Sequence, residues 1–425
     1  MTQTVADRLA GALAVVLGVD RVPVRLTAWD GTSAGPADAP EVVVRSPQAV
    51  RRMVWAPGEL GLARAYVAGE LDVVGEDLYD AFAALSSSGR LAAGQSGGPS
   101  IAERAALVRT GLALGVVGRE PPAPPEEIVR LRRYGLRHSR RRDAAAVSHH
   151  YDVGNDFYRL VLGPSMVYSC AVWNDESVGL EAAQETKLDL VCRKLALRPG
   201  MRLLDVGCGW GSLALHAAGR YGVQVVGITL SQEQAALARK RVAEAGLTSS
   251  VDIRVQDYRA VDDGPFDAIS SVGMAEHVGR GKLPGYARSL TALLAPGGRL
   301  LNHAISWDAG ETTWEDDSFI ARYVFPDGEL ISIGDMLNAL TSADLEVIDV
   351  EALRRHYALT LREWVRNLES SWDQAVALTS EGRARVWRLY MSASALAFEE
   401  GKLGVNQVLL QRPGGTPPPL RRDWI

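Results

Sequence analysis

The stretch LLDVGCGWGS, residues 203–212, decides the fold of this chain. Apolar residues lead up to Asp205, as in a buried strand, and the segment that follows Ser212 has helical periodicity. Between them stand three glycines at alternate positions, Gly207, Gly209 and Gly211. Such glycines let the backbone turn tightly and approach a ligand closely. The stretch therefore predicts a strand, a glycine turn and a helix.

Strand and helix patterns alternate on both sides of this turn. Helical patterns cover 182–197, 231–246 and 282–298, and Ser231 is the predicted N-cap of the second. Apolar strand patterns cover 223–231, 250–259, 266–273 and 299–306. Alternating strands and helices are typical of a doubly wound α/β fold with a parallel sheet.

Composition narrows the classes of function. The chain has 425 residues, 47% of them hydrophobic, and a formal net charge of −5, which does not favour nucleic acid as a partner. It has three cysteines and no CxxC pair, which argues against a disulfide framework and against a zinc site. No apolar run reaches the length of about 20 residues that spans a bilayer. We therefore expect a cytoplasmic protein without a metal site.

Changes in composition predict the domain boundaries. We expect an N-terminal domain at 1–120, a Pro/Arg-rich linker at 121–143, a catalytic domain at 144–412 and a flexible tail at 413–425. The linker ends in seven arginines between Arg130 and Arg142. Such a run fits either a solvated surface or contact with anionic phosphate.

The glycine turn, Asp205 and the later LAPGGRLL, residues 294–301, together resemble a class I methyltransferase, in which S-adenosylmethionine lies over the carboxyl ends of the strands. Such folds usually carry an acidic residue after the second strand for the ribose hydroxyls. Three other residues stand there, namely Thr229, Leu230 and Gln234. The positions that usually face the adenine hold Gln256, Asp257 and Tyr258, for which a surface turn is the alternative.

Seven motifs in order resemble the cyclopropane-fatty-acyl-phospholipid synthases, to which the mycolic acid cyclopropane synthases are related. They are SHHYDVGNDFYRLVLGPSMVYSCAVW, LLDVGCGWGS, GITLSQEQ, VQDYR, GMAEHVG, LLNHAIS and HYALTLREW. The resemblance covers residues 144–412. The earlier PGELGLARAYVAGELDV, residues 57–73, is similar to the N-terminal domain of the branch that acts on phospholipids. The fold implied is a class I methyltransferase with a smaller N-terminal α+β domain.

The resemblance implies methyl transfer from S-adenosylmethionine to the cis double bond of an unsaturated phospholipid acyl chain. A bound bicarbonate ion would remove the proton that closes the cyclopropane. Its holders map onto Cys170, Glu276, His303, Ile305 and Tyr357, with Cys170 and Ile305 acting through backbone groups. Tyr168 and Ser169 would touch the cofactor, and His150 and Tyr151 would line a pocket or serve the core. The resemblance also suggests a homodimer. The N-terminal domain, expected to associate with lipid or membrane, and the arginine run suggest peripheral binding to an anionic membrane.

Alternatives stay open at this point. The same methyl transfer could give a methylene-branched chain, because the position of the base, which the motifs do not fix, decides which proton leaves. A methyltransferase for a small molecule or RNA has its best support in the arginine run, and the motifs YSCAVW and MAEHVG argue against it. A lipid-binding protein without activity is disfavoured by the intact glycines and by the full set of predicted bicarbonate ligands. For Glu276 taken alone, the alternative is a loop carboxylate whose hydrogen bonds are satisfied.

Overall fold

The computed structural model describes residues 3–56, 58–74, 78–88, 100–116, 118–128, 139, 142–143, 153–307 and 318–424. Most of the arginine run, His150 and Tyr151 lie outside these residues. The chain forms two compact units, the first of Met1–Ile128, Asp317–Val324 and Ser380–Leu396. The second comprises Val129–Asp316, Phe325–Thr379 and Ala397–Ile425. The domain boundaries predicted above stay a prediction.

The strands, in chain order, are β1 (Arg25–Ala28), β2 (Ser33–Ala34), β3 (Glu41–Val44), β4 (Leu71–Val74), β5 (Arg202–Val206), β6 (Gln224–Thr229), β7 (Val251–Val255), β8 (Phe266–Val272), β9 (Leu294–Trp307), β10 (Glu346–Ala352) and β11 (Leu403–Gln411). The α-helices among the described residues fall between and around them. They are α1 (Val5–Leu17), α2 (Pro47–Trp55), α3 (Glu59–Val67), α4 (Leu78–Ser86), α5 (Ile101–Ala113), α6 (Asn155–Leu162), α7 (Leu180–Lys194), α8 (Ser212–Tyr221), α9 (Gln232–Glu244), α10 (Leu283–Leu293), α11 (Phe319–Tyr323), α12 (Ile333–Thr341), α13 (Arg354–Ser370), α14 (Trp372–Leu378) and α15 (Glu381–Glu399).

The first unit is a small α+β body. Its described strands form a sheet in the order β2-β1-β3-β4, with β1 and β3 parallel and the other pairs antiparallel. A buried ion pair stabilises it, in which Arg64 donates two hydrogen bonds of 2.7 and 2.8 Å to the carboxylate of Glu127. The hydroxyl of Tyr323 donates to the same carboxylate at 3.2 Å. This cluster satisfies a carboxylate that would be costly to bury alone.

The second unit is built on a sheet whose described strands follow the order β10-β11-β9-β8-β5-β6-β7. Strands β9, β8, β5, β6 and β7 are parallel neighbours, as the alternating pattern predicts. Strand β11 differs, because it enters between β9 and β10 and runs antiparallel to both. The predicted α/β fold with a parallel sheet is confirmed, with one antiparallel strand that the pattern did not indicate.

The ends of these strands follow from local chemistry. Helix α9 begins where predicted, since the hydroxyl of Ser231 accepts a hydrogen bond from the N–H of Gln234 at 3.2 Å. Strand β8 ends at Val272, which pairs with His303, whereas β9 continues to Trp307. Beyond His303, therefore, the edge of β9 that faced β8 has backbone groups that need other partners.

The predicted flexible tail makes contacts in the structure. The side chain of Trp424 is buried, and Arg422 donates to the carboxylate of Asp349 at 2.8 Å. Among the described residues, no helix has the length and apolar character needed to cross a membrane.

Candidate active site

The glycine turn after β5 requires the conformations that glycine allows. Gly207, Gly209 and Gly211 have φ angles of +79°, +53° and +79°. A Cβ atom at Gly207 would lie 3.1 Å from Cγ of Met274, and one at Gly211 would lie 3.2 Å from Cβ of Ala238. A Cβ atom at Gly209 would meet nothing within 4 Å. The middle of the turn therefore borders open space, where a ligand can approach the backbone.

Asp205 lies beside this turn, and only one of its two carboxylate oxygens accepts a hydrogen bond. Its Oδ1 accepts a hydrogen bond of 2.8 Å from the hydroxyl of Ser270. Its Oδ2 is buried without a hydrogen-bond partner among the described residues. Burial raises the pKa of Asp205 to about 6, although the Ser270 hydroxyl and the charge of Lys187 act in the opposite direction. A buried carboxylate oxygen of this kind is suited to a polar ligand.

Residues after β6 and β7 flank the same edge of the sheet. The hydroxyl of Thr229 donates to Oε1 of Gln234 at 2.7 Å, so the two predicted cofactor residues are in contact, with Leu230 next to Thr229 in the chain. The N–H of Gln256 donates to the carbonyl of Thr229 at 3.1 Å. Gln256 therefore adjoins the position that the resemblance assigns to the ribose.

Asp257 and Tyr258 have structural contacts of their own. The carboxylate of Asp257 caps the short 3₁₀ helix Tyr258–Ala260 by accepting from the N–H of Arg259 at 2.9 Å. It also accepts two hydrogen bonds from the guanidinium of the same arginine, at 2.8 and 2.6 Å. The ring of Tyr258 packs edge-on against Tyr286. Both interpretations of this segment, adenine contact and turn, are compatible with these contacts.

Glu276 provides a hydrogen-bond acceptor for a backbone N–H of β9 that lies beyond the end of β8. It lies in the short 3₁₀ helix Ala275–His277, and its Oε1 accepts a hydrogen bond of 2.7 Å from the N–H of Ile305 on β9. Its Oε2 is buried with no partner among the described residues. Burial raises the pKa of Glu276 to about 7, even though the Ile305 N–H favours the charged form. The carboxyl group can therefore gain or lose a proton near neutral pH.

His303 lies two positions before Ile305 on β9, so both side chains are on one face of the sheet. Its Nδ1 is 3.2 Å from Nε2 of Gln407, the residue directly opposite on β11. Its Nε2 is buried without a partner among the described residues. Burial, with the positive charges of Lys187 and Lys194, lowers the pKa of His303 to about 3. The imidazole is therefore neutral at physiological pH.

A short chain of contacts connects Tyr357 and Cys170, the other two predicted anion-binding residues, to Ile305. Val405 pairs with Ile305, and its carbonyl accepts from the N–H of Leu353 at 2.8 Å. The carbonyl of Leu353 accepts from the N–H of Tyr357 at 3.1 Å and from the thiol of Cys170 at 3.7 Å. Burial raises the pKa of the Cys170 thiol, which disfavours a thiolate nucleophile.

The loop that carries Tyr168 and Ser169 is anchored by a buried lysine. Nζ of Lys187 donates to the hydroxyl of Ser169 at 2.9 Å. Burial lowers the pKa of Lys187 to about 8, although the charge of Asp205 raises it. Lys187 was missed from sequence because it lies inside an ordinary helical pattern, and no local signal marks it.

Aromatic rings connect the glycine turn with Tyr357. Ring centroids lie 4.8 Å apart for Trp210 and Tyr158, 5.5 Å for Tyr158 and Tyr168, and 5.4 Å for Tyr168 and Trp364. Tyr357 is edge-on to Trp364 at 6.0 Å. These rings form one continuous row, here called the aromatic wall, between the glycine turn and Tyr357. Within the described residues, no group of three or more His, Cys, Asp or Glu could hold a metal ion.

The comparisons agree with this architecture. The family model for mycolic acid cyclopropane synthetase matches residues 138–408. A probable fatty acid methyltransferase of Mycobacterium tuberculosis is 43% identical over 424 residues, which are 98% of each chain. The cyclopropane-fatty-acyl-phospholipid synthase of Escherichia coli is 38% identical over 62% of this chain and 66% of its own. The solved mycolic acid cyclopropane synthase CmaA1, complexed with SAH and CTAB, is 35% identical with a TM-score of 0.60, covering 63% of this chain and 98% of that one.

Fold and site define a class I methyltransferase that uses S-adenosylmethionine. The chain belongs to the mycolic acid cyclopropane synthetase family. The residues present fit the cofactor, because the turn is open at Gly209 and the buried Oδ2 of Asp205 has no partner among the described residues. The roles assigned to individual site residues stay a prediction.

Gly209 provides a test of the cofactor site. We expect Gly209→Ala to raise the Kd for S-adenosylmethionine at least about tenfold, because the new Cβ enters the space left for the ligand. Gly200→Ala is the matched control, since Gly200 also has a positive φ of +85° and a Cβ atom there would meet nothing within 4 Å. Both variants should lose about 1 kcal/mol of stability, and calorimetric titration compares their affinities. Equal Kd values for the two variants would contradict this placement.

Glu276 should make stability depend on pH. The pKa of Glu276 in the folded protein, about 7, exceeds the ordinary value of 4.5. The stability that comes from its protonated form is therefore fully present below pH 4.5 and is lost as the pH rises through 7. Glu276→Gln mimics the protonated form. We expect this variant to match the wild type at pH 4.5 and to exceed its free energy of unfolding by about 3 kcal/mol at pH 8. Chemical denaturation at several pH values measures the difference, and a constant difference would refute the buried charge.

Proposed function

We propose that this methyltransferase transfers the methyl group of S-adenosylmethionine to the cis double bond of an unsaturated phospholipid acyl chain and closes a cyclopropane ring. The name of the Escherichia coli relative supports the phospholipid and the ring. The name of the Mycobacterium tuberculosis relative supports a fatty acyl substrate over the full length of the chain. Both support a lipid substrate over a small molecule or RNA.

The chemistry explains the surroundings of the site. An alkene is a weak nucleophile, so the bound cofactor supplies an activated methyl group and the protein supplies orientation. Methyl transfer leaves a carbocation on the acyl chain, which water would quench. In this proposal the wall formed by Trp210, Tyr158, Tyr168 and Trp364 would exclude water, and its aromatic faces would attract the cation. The buried Cys170 thiol offers no competing nucleophile.

One observation supports the proposal that a bound bicarbonate ion removes the proton whose loss closes the ring. Oε2 of Glu276 and Nε2 of His303 are both buried without partners among the described residues, and their side chains reach the same stretch of β9. Buried polar atoms are normally satisfied, so this pair calls for a small polar ligand. Bicarbonate can both donate and accept, which fits a carboxylate beside an imidazole. Glu276, His303 and Tyr357 would hold it with side chains, and Cys170 and Ile305 with backbone groups.

Product analysis tests the reaction. We expect vesicles of an unsaturated phospholipid, incubated with the protein, S-adenosylmethionine and bicarbonate, to yield acyl chains heavier by one methylene unit in mass spectrometry. Ozonolysis then distinguishes a ring, which resists, from a methylene branch, which is cleaved at the added carbon. Glu276→Gln should bind the cofactor normally and lose at least about 100-fold in kcat.

Three results would each refute a different part of the proposal. No change in mass, with cofactor binding intact, would exclude a phospholipid acyl chain as substrate. Full activity in buffer depleted of carbon dioxide, with no increase on adding bicarbonate, would exclude the bicarbonate role and leave the methyl transfer standing. Near-wild-type turnover of Glu276→Gln would remove its role in proton transfer.

Access to bilayer lipid requires a surface that meets the membrane, and we place it on α5. Ile101, Val108 and Leu112 are 88%, 62% and 60% exposed, and their spacing puts them on one side of the helix. Arg109 is exposed close to this stripe. An apolar stripe flanked by a cation suits peripheral binding to an anionic bilayer.

Sedimentation with liposomes tests this surface. We expect the protein to bind vesicles that contain anionic lipid, and binding to weaken as salt screens the charges. Val108→Glu should reduce the bound fraction several-fold, because it places a charge in the apolar stripe. Leu378→Glu is the control, since Leu378 is an exposed leucine (41%) in the second unit. Equal losses in both variants would contradict the role of α5.

A further inference from the structure

Three strands place a line of polar residues across the sheet of the second unit. Glu351 on β10 is directly opposite Gln407 on β11, and Gln407 is directly opposite His303 on β9. Lys194, at the end of α7, contacts this line. Its Nζ donates to Oε2 of Glu351 at 2.5 Å and to Oε1 of Gln407 at 2.8 Å. Lys194 and Gln407 are both 0% exposed, so water does not substitute for these contacts.

The orientation of the Gln407 amide follows from donor and acceptor chemistry. A lysine ammonium can only donate, so it must face the amide oxygen. Ion-pair contacts with Glu351, and with Asp349 at 3.8 Å, favour the charged lysine. With Oε1 directed to Lys194, the amide NH₂ group of Gln407 is directed to His303. The opposite orientation would set two donors against each other inside the protein and leave both without an acceptor, which is strongly unfavourable for buried groups.

The amide in turn determines the proton position on His303. An NH₂ group donates, so Nδ1 of His303 must accept and carries no proton. The pKa of about 3 keeps the ring neutral, and a neutral imidazole has one N–H. We propose that Gln407, oriented by Lys194, fixes His303 as the tautomer with its proton on Nε2, so that His303 presents an N–H donor to the ligand of the site. This inference rests on the proposed function only in taking His303 as part of the ligand site.

This tautomer gives His303 and Glu276 different roles toward the ligand. An Nε2–H can hold an anionic oxygen but cannot accept a proton without becoming an imidazolium. Burial and the nearby Lys187 and Lys194 disfavour that cation. Glu276, whose pKa is about 7, is then the side chain suited to take up a proton near neutral pH. Gln407 and Lys194 are positioning residues, since they act through His303.

Nitrogen NMR of the full-length protein, labelled with ¹⁵N-histidine, reads the tautomer directly. His303→Asn identifies the signals of His303 by their loss. We expect the wild type to show a protonated Nε2 and an unprotonated Nδ1, unchanged between pH 5.5 and 8. A proton on Nδ1, or titration in this range, would overturn the inference. This measurement needs no substrate and no turnover, and it does not depend on the stability of any Gln407 variant.

Gln407→Glu reverses the hydrogen bond. A carboxylate opposite Nδ1 accepts, so we expect the ring proton to move to Nδ1 and kcat to fall about 10- to 100-fold with the Kd for S-adenosylmethionine unchanged. Asn406→Asp is the matched control: the same chemical change, one position away, on a side chain that donates to the Ser306 hydroxyl at 2.9 Å. It should leave the His303 signals as in the wild type. An unchanged tautomer in Gln407→Glu, or the same shift in Asn406→Asp, would refute the relay.

The two proposals can fail separately. If vesicles gain no mass but the wild type shows the Nε2–H tautomer and Gln407→Glu moves it, the substrate or reaction is wrong and the relay stands. If product forms and Nδ1 carries the proton, the relay is wrong and the reaction stands.

Discussion

The hydrogen bond between the N–H of Ile305 and Oε1 of Glu276 is the contact on which the site depends. It exists because β8 ends at Val272 while β9 continues, so that a backbone donor on β9 has lost its partner strand. The carboxylate satisfies this donor with one oxygen, and its other oxygen is buried without a partner among the described residues. Because the two strands differ in length, a buried N–H needs a partner from outside the sheet, and meeting that need holds the Glu276 carboxylate in place.

Burial then sets the charge state of each group around this contact. The pKa values of Glu276 and Asp205 rise, and those of His303 and Lys187 fall, so every shift favours the neutral form. Under the proposed reaction this balance has a use. A carbocation survives best where no strong nucleophile is present, and an aromatic wall provides attraction without one. The same burial that shelters the cation makes Glu276 basic enough to take a proton at neutral pH.

Local sequence contained much of this fold and part of the site. The glycine turn, the cap at Ser231 and the alternation of strands and helices were predicted, because each depends on residues within about 15 positions of one another. The antiparallel entry of β11 was not, since strand order depends on pairing over more than 90 residues. For the same reason Gln407 was missed, although it lies opposite the predicted His303. Lys194 was missed because its contact with Gln407 forms only once helix and sheet are packed together.

Stability does not explain why a lysine lies fully buried behind the site. Removing a lysine from water costs more than a single carboxylate usually returns, and apolar side chains of similar volume often stabilise a protein more than a buried ion pair. The burial that lowers the pKa of Lys194 is the same cost in another form. What an apolar residue could not provide is direction. The oxygen and the NH₂ group of an amide have nearly the same size, so packing alone does not distinguish them. A fixed donor such as the Lys194 ammonium, held by Glu351, selects the oxygen and leaves the NH₂ group of Gln407 facing His303. Orientation of a neutral imidazole is therefore the physical advantage that offsets the buried charge.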